Sequence, residues 1–304
     1  MADLSAVQPA PVSLEKTRSP RTGRRFSVGP SLALLPFLAY VLVFLIVPTV
    51  TVVIGAFQSD AGPTLDNIRA LSSDAAVNAL WKSIVLSGVS ALIGAFLGAL
   101  LAYLIVTLPE TSIMRRFVLS ICGVLAQFGG VALAFAFIAT IGFSGVITEA
   151  LRNGPGIDIF GSGWLYGLPG LIVVYTYFQI PLMVIVFLPA LQGLRPQWRE
   201  AAVNLGASTR QYWTQVAIPL LTPAFLGSAL LLFANAFAAY ATAAALVSQG
   251  NPISPLLIRS ALTSEILLGQ ENLAYALALE MIAVVSIVML AYALLLRRTS
   301  RWLR

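Results

Sequence analysis

Two carboxylates stand apart from the other acidic residues of this chain. Glu200 lies in a polar stretch between two long apolar runs, and Glu280 lies well inside an apolar run. The stretch 191–219 reads LQGLRPQWREAAVNLGASTRQYWTQVAIP. A lone Glu there, followed by the small Ala201 and Ala202, can anchor a basic group of a partner while the small residues permit close approach. Glu280 is a different case. A carboxylate in a membrane segment costs several kcal/mol unless paired, neutralised or wetted, with roughly 2.5–3.5 kcal/mol on insertion scales for Asp at a helix centre. Glu280 is therefore either a cation-attracting group on a pathway or a structural hydrogen-bond or ion-pair partner. Little else points to covalent chemistry. The chain has no His, which removes histidine acid–base work and histidine metal sites, and its one Cys, Cys122, sits in an apolar run. Its only lysines, Lys16 and Lys82, do not follow a G-x-x-x-x-G-K-[ST] pattern, so the chain carries no phosphate-binding loop of an ATPase. No catalytic residue, no metal site and no resident cofactor are expected.

The elements that must hold these residues are set by composition. Of 304 residues, 59% are hydrophobic and 10% charged, and mean hydropathy is +0.90. A soluble domain carries about 25% charged residues. The alternating pattern of a membrane β-barrel would lower the mean hydropathy. An all-α membrane protein remains. Six apolar segments, roughly 31–57, 80–107, 117–142, 164–190, 220–248 and 275–297, each meet the requirement of about 20 residues for a spanning helix. Residues 1–29 read as a flexible cytoplasmic tail, 30–298 as the transmembrane domain, and 299–304 as a second cytoplasmic tail.

Lys and Arg placement orients the helices. With the N-terminus in the cytoplasm, fourteen basic residues fall inside: Lys16, Arg18, Arg21, Arg24, Arg25, Arg115, Arg116, Arg195, Arg199, Arg210, Arg297, Arg298, Arg301 and Arg304. Four fall outside: Arg69, Lys82, Arg152 and Arg259. The net charge of +6 is thus topological, and nucleic-acid binding is not the natural reading. Both termini and the 191–219 loop are expected in the cytoplasm.

Inside the spans, Ser90, Gly94, Gly98 and Ala102 recur every four residues, beside Ser87, Ala91, Ala95 and Ala99. Such spacing lets helix backbones approach closely, either within the chain or at a subunit interface or pore. At ~1.5 Å per residue, Gln127 and Gln179 fall about 15–16 Å from the inner ends of their spans. Tyr175 and Asn235 fall about 22 Å in, and Glu280 about 25 Å. These groups either line a polar pathway or bond one another as packing glue.

The loop has structure signals of its own. Pro196 suits a first helical turn, Gly206 a C-terminal stop, and Ser208 with Gln211 the start of a second short helix, closed by Pro219. Here the sequence resembles a known family. Glu200-Ala201-Ala202, three residues, Gly206, nine residues, Val216, one residue, and Ile218-Pro219 resembles the EAA motif of ABC importer permeases, with Val216 and Ile218 as mild departures at its two aliphatic places. NALWKSIVLS at 78–87 is also similar to these permeases, and FANAFAAYATAAAL at 233–246 resembles the branch serving polyamines, ferric iron, thiamine and phosphonates.

The resemblance implies a six-helix fold of the type I importer permease kind in a bacterial inner membrane. It implies half of a translocation pore, completed by a second permease of a different sequence, and an extracytoplasmic solute-binding protein. Two separate ATPase subunits would hold ATP and Mg, so this chain would not be an enzyme. The 191–219 loop would be the coupling helix, with Glu200 pairing with a basic ATPase residue, Ala201 and Ala202 permitting contact, Gly206 setting the turn and Pro219 ending the motif. The solute would be a polyamine, a phosphonate or another small polar species. The alternative is a stand-alone secondary transporter or channel. That class predicts more intramembrane acids and more often two repeated halves, and no internal repeat is evident.

Overall fold

The structure, a computed structural model, describes residues 28–59, 62–161, 163–247, 253–263 and 271–300. Of the expected tails, 1–29 and 299–304, residues 1–27 and 301–304 lie outside the described residues, and the rest is helix, which runs at Val28 and at Ser300. Residues through Thr49 form one unit and those from Val50 onward a second.

Among the described residues, six helical stretches are long and apolar enough to cross a membrane, so the fold is that of a multi-pass, all-helical membrane protein. The first unit holds α1 (Val28–Val41), a π-helical turn (Leu42–Ile46) and the start of α2 (Val47–Ala56). In the second unit a two-stranded hairpin (Gln58–Ser59 and Gly62–Pro63) and α3 (Asp66–Ala70) lead to α4 (Asp74–Thr107), whose start is capped by the Ser73 side chain accepting from the Ala76 N–H. Then come α5 (Ile113–Gln127), α6 (Gly130–Ile141), α7 (Val146–Asn153) and α8 (Leu168–Gln192). The loop helices α9 (Pro196–Asn204) and α10 (Thr209–Tyr212) precede α11 (Ile218–Ala238), α12 (Ala241–Leu246), α13 (Ser254–Thr263) and α14 (Glu271–Ser300).

The core is built on α4 and α8, and the small-residue stripe explains why. Ser87, Ser90, Ala91, Gly94, Ala95, Gly98 and Ala102 are all buried. A Cβ added at Gly94 would stand 2.6 Å from the Gln179 Cβ, and one at Gly98 2.5 Å from the Met183 Cβ and 2.6 Å from the Ile180 carbonyl oxygen. Of the two readings of the stripe, this is the intrachain one: bare backbone on α4 meets side chains of α8.

Two of the expected crossings differ in form. The third is not one helix over 117–142. Phe128 and Gly129 interrupt it, and Gly130 restarts helix at φ +71°. Alone, the 12 residues of α6 reach about 18 Å, well short of the ~30 Å hydrocarbon core. Helices α5 and α6 therefore cross in series. Cys122 of α5 packs with Phe187, Leu188 and Leu191 at the end of α8, whereas Leu133 and Ala134 of α6 pack with Leu171 and Val174 near its start. The fifth crossing starts earlier and stops earlier than 220–248: helix runs over Thr209–Ala238 and breaks at Ala239 and Tyr240 before α12. Within it, Pro219 does not close α10. The π-helical turn Trp213–Ala217 joins α10 to α11, with the Ile218 N–H reaching the Trp213 carbonyl. A proline ring clashes with the carbonyl four residues back and offers no N–H; a wider turn just before it lets the helix pass through. The same device precedes Pro48, where the Val47 N–H bonds to the Leu42 carbonyl.

Candidate functional site

The 191–219 loop folds as its local signals require. Pro196 occupies the first position of α9 behind Arg195, where the missing N–H costs nothing. The helix ends in a complete Schellman turn. The Gly206 N–H bonds to the Val203 carbonyl and the Ala207 N–H to the Ala202 carbonyl, both at 2.9 Å. Gly206 carries φ +80°, the left-handed conformation that such a turn demands and that L side chains avoid. Two residues on, Ser208 and Gln211 form a reciprocal capping box. The Gln211 N–H donates to the Ser208 hydroxyl at 3.3 Å, and the Ser208 N–H to the Gln211 Oε1 at 2.7 Å.

This geometry presents α9 outward. None of its residues is buried. Glu200 and Ala201 are exposed and Ala202 is half-buried. Large apolar side chains share the exposure: Trp198 is 38% exposed, Val203 59% and Leu205 88%. A nine-residue helix with a free carboxylate, two alanines and uncovered apolar groups does not earn its stability from this chain, because short isolated helices are marginal in water. Such a surface suits a partner's groove. The sequence reading singled out Glu200, Ala201, Ala202 and Gly206 and missed Trp198, Val203 and Leu205. Their signal was present as apolar residues in a loop otherwise polar.

The five polar residues of the spans separate into two groups. Tyr175 and Gln179 lie one turn apart on α8 and are both 0% exposed. The Tyr175 hydroxyl donates to the Ala239 carbonyl at 2.7 Å, an acceptor freed by the break between α11 and α12. Gln179 satisfies all its neighbours with Nε2 directed at the Leu232 carbonyl (3.0 Å) and Oε1 accepting from the Ser90 hydroxyl (3.0 Å) and the Ala91 N–H (3.2 Å). The opposite amide orientation keeps only the Ser90 contact and sets oxygen against oxygen, so the first is the physical one. Gln179 thus ties α8 to both α4 and α11. Gln127 and Asn235 are exposed, Gln127 at the end of α5 and Asn235 one turn before the break in α11. Glu280 is half-buried, and its Oε2 is buried without a hydrogen-bond partner.

The two helix breaks meet. A Cβ on Gly130 would touch the Ala241 Cβ at 3.7 Å, so the interruption of the third crossing faces that of the fifth, with Tyr175 bonded to the latter. Sequence reasoning did not find this pairing. Phe128-Gly129-Gly130, two glycines inside an apolar run, was the available signal. Tyr175→Phe keeps the ring and removes one hydrogen bond from a buried carbonyl. We expect it to lower stability by about 1–3 kcal/mol, read as a lower midpoint of thermal unfolding in detergent. A Tyr175→Phe protein with unchanged midpoint would show that the bond does not hold the break.

No protein-family profile matches the chain. It is 25% identical over 207 residues to a putative ferric transport system permease protein of Haemophilus influenzae, covering 68% of this chain and 32% of that one. It is 23% identical over 214 residues to the sulfate transport system permease protein CysW of Escherichia coli, covering 70% of this chain and 68% of that one. The chain spans about a third of the length of the ferric permease relatives it matches. Its fold superposes on a chain of a bacterial ABC transporter involved in the import of the acidic polysaccharide alginate, with TM-score 0.73 and 20% identity, covering 89% of this chain and 96% of that one. By sequence the chain is similar to transport system permease proteins, and it shares the fold of a chain of an ABC importer.

Proposed function

We propose that the chain is one membrane-spanning permease of an ATP-driven importer of a small polar solute, and that α9 is the helix through which a separate ATPase drives it. The observation that carries this reading is the outward face of α9, where Glu200 lies exposed beside uncovered Trp198, Val203 and Leu205 on a turn fixed by Gly206. A helix so presented has its partner elsewhere. The permease performs no hydrolysis itself. Two ATPase subunits hold ATP and Mg, a second and different permease completes the pore, and an extracytoplasmic binding protein delivers the solute. Gln127, Asn235 and Glu280 are candidate pathway groups, as they keep polar atoms unspent; Tyr175 and Gln179 act on the pathway through the helices they tie. Both termini and the 191–219 loop face the cytoplasm of a bacterial inner membrane, which follows from the fourteen-to-four bias of basic residues.

Two measurements test the reading. In a Cys122→Ser background, Asp66→Cys is expected to react with an impermeant thiol reagent in intact cells and Arg210→Cys to remain unlabelled. Labelling at 210 from outside would overturn both the orientation and the coupling role. Purification through a tag on this chain is expected to bring down a protein with nucleotide-binding motifs, and Ala201→Cys should cross-link to it. A chain that transports solute without any such protein would be a secondary transporter.

A further inference from the structure

We propose that the end of the bundle nearest the 191–219 loop carries a binding site for one anionic phospholipid, with an acyl chain in an aromatic groove and the headgroup phosphate at Arg195 and Arg210. Helices α4, α8 and α11 enclose a groove of about 510 Å³ whose walls include Phe96, Tyr103, Phe187, Trp213, Leu221 and Phe225. The walls are almost wholly apolar. Thr222 lines the groove, and its hydroxyl is spent on the Ile218 carbonyl at 2.7 Å. A strongly polar ligand gains little from such a lining, whereas an acyl chain gains from it by burial.

The groove has polar groups at the end marked by Tyr103 and Trp213. Tyr103 lies one turn from the end of α4, and Trp213 immediately follows α10. The two rings meet edge to face at 5.4 Å. The Tyr103 hydroxyl and Trp213 indole N–H have no hydrogen-bond partner among the described residues, although both types usually find one when placed at a boundary between apolar and wet regions. Two exposed arginines lie close by in the chain. Arg210 precedes Trp213 by three residues, on the same helical face. Arg195 follows Leu191, another wall residue, by four, past the end of α8 and at the start of α9. Two cations over an aromatic rim over an apolar groove match, in order, a phosphate, a glycerol-ester region and an acyl chain. Basic residues at the mouths of grooves between spanning helices select anionic headgroups by this charge match. A helix of another protein would fill the apolar part but would leave both arginines and both aromatic donors without a counterpart.

Trp213 supplies the readout. The full-length chain is reconstituted with phosphatidylglycerol or phosphatidylcholine brominated on the acyl chains, and the Trp213 signal is taken as the difference between wild type and Trp213→Phe. Saturable quenching is expected, with phosphatidylglycerol preferred by at least about fivefold, the effect of one well-placed basic residue. Arg195→Gln with Arg210→Gln should abolish the preference. Ala99→Phe, which fills the groove, should abolish the quenching of Trp213 itself. Should Ala99→Phe fail to fold, the arginine pair at the exposed mouth decides alone. Equal quenching by the two lipids, or a preference that survives the double substitution, would reduce the groove to ordinary lipid contact and overturn the proposal. So would loss of the Trp213 signal only when other protein chains are assembled with this one, which would make the occupant a protein.

Discussion

Gly206→Val is expected to abolish coupling while leaving the membrane bundle intact. The cost is conformational. At φ +80° a β-branched residue is strained, whereas a Cβ at this position would meet nothing within 4 Å. No steric clash therefore confuses the result. The left-handed conformation costs roughly 1–2 kcal/mol for an ordinary L-residue, and more for valine. That penalty falls on α9, which buries none of its own residues and has little stability to lose. Two Schellman bonds, from Gly206 and Ala207, would open, freeing the carbonyls of Val203 and Ala202 next to Glu200. ATPase association or receptor-stimulated hydrolysis should fall by about tenfold or more. Solute binding to the external receptor should be untouched. Gly206→Asn is the decisive companion, because Asn tolerates left-handed backbone far better than Val. It should restore most of the activity. Glu200→Ala should act in the same direction by removing a charge-assisted contact, but without altering the loop's fold. Full hydrolysis and uptake in Gly206→Val would remove α9 from the mechanism. Equal loss in Gly206→Val and Gly206→Asn would point to a need for bare backbone at a protein contact instead of a turn.

The loop was legible because its determinants are local. Pro196, Gly206 and the Ser208–Gln211 pair each act within one helical turn, and each does in the structure what its spacing implies. Hydropathy likewise located six crossings, since each must be apolar whatever it packs against. Hydropathy does not reveal where an apolar helix is interrupted. Residues 117–142 and 220–248 contain no charge to mark the breaks at 128–129 and 239–240, and only Gly129-Gly130 hinted at the first. Pro219 misled for a related reason. A proline reads as an end, but the π-helical turn 213–217 absorbs it, and that turn leaves no trace in composition. The depth estimates for Tyr175, Gln179 and Asn235 placed them near one another along the membrane normal. They could not give facing, which depends on the partner helix. Gln179 turns inward because Ser90 and the Leu232 carbonyl wait there; Asn235 turns out.

The small-residue stripe of α4 gives the second large effect, and the helix carries its own control. Gly88 and Gly98 lie on the same helix, yet a Cβ at Gly88 would meet nothing within 4 Å, while one at Gly98 would press on the Met183 side chain and the Ile180 carbonyl. Met183 can move, being flexible. The Ile180 carbonyl cannot, because it belongs to the backbone of α8, and α8 is pinned to α4 four residues earlier in the stripe, where Gly94 abuts Gln179. Gly98→Leu must therefore push the helices apart. Overpacking in a filled core costs about 1–3 kcal/mol, and here separation also stretches the Gln179 bonds to Ser90 and Ala91 of α4, so the upper end is expected. The readouts are a lowered midpoint of thermal unfolding in detergent and reduced membrane abundance. Gly88→Leu should be neutral or slightly stabilising, since it removes the ~0.5–1 kcal/mol penalty of glycine inside a helix. The contrast between the two positions isolates close packing from helix propensity, and equal behaviour of the two variants would mean that α4 and α8 do not meet along this stripe.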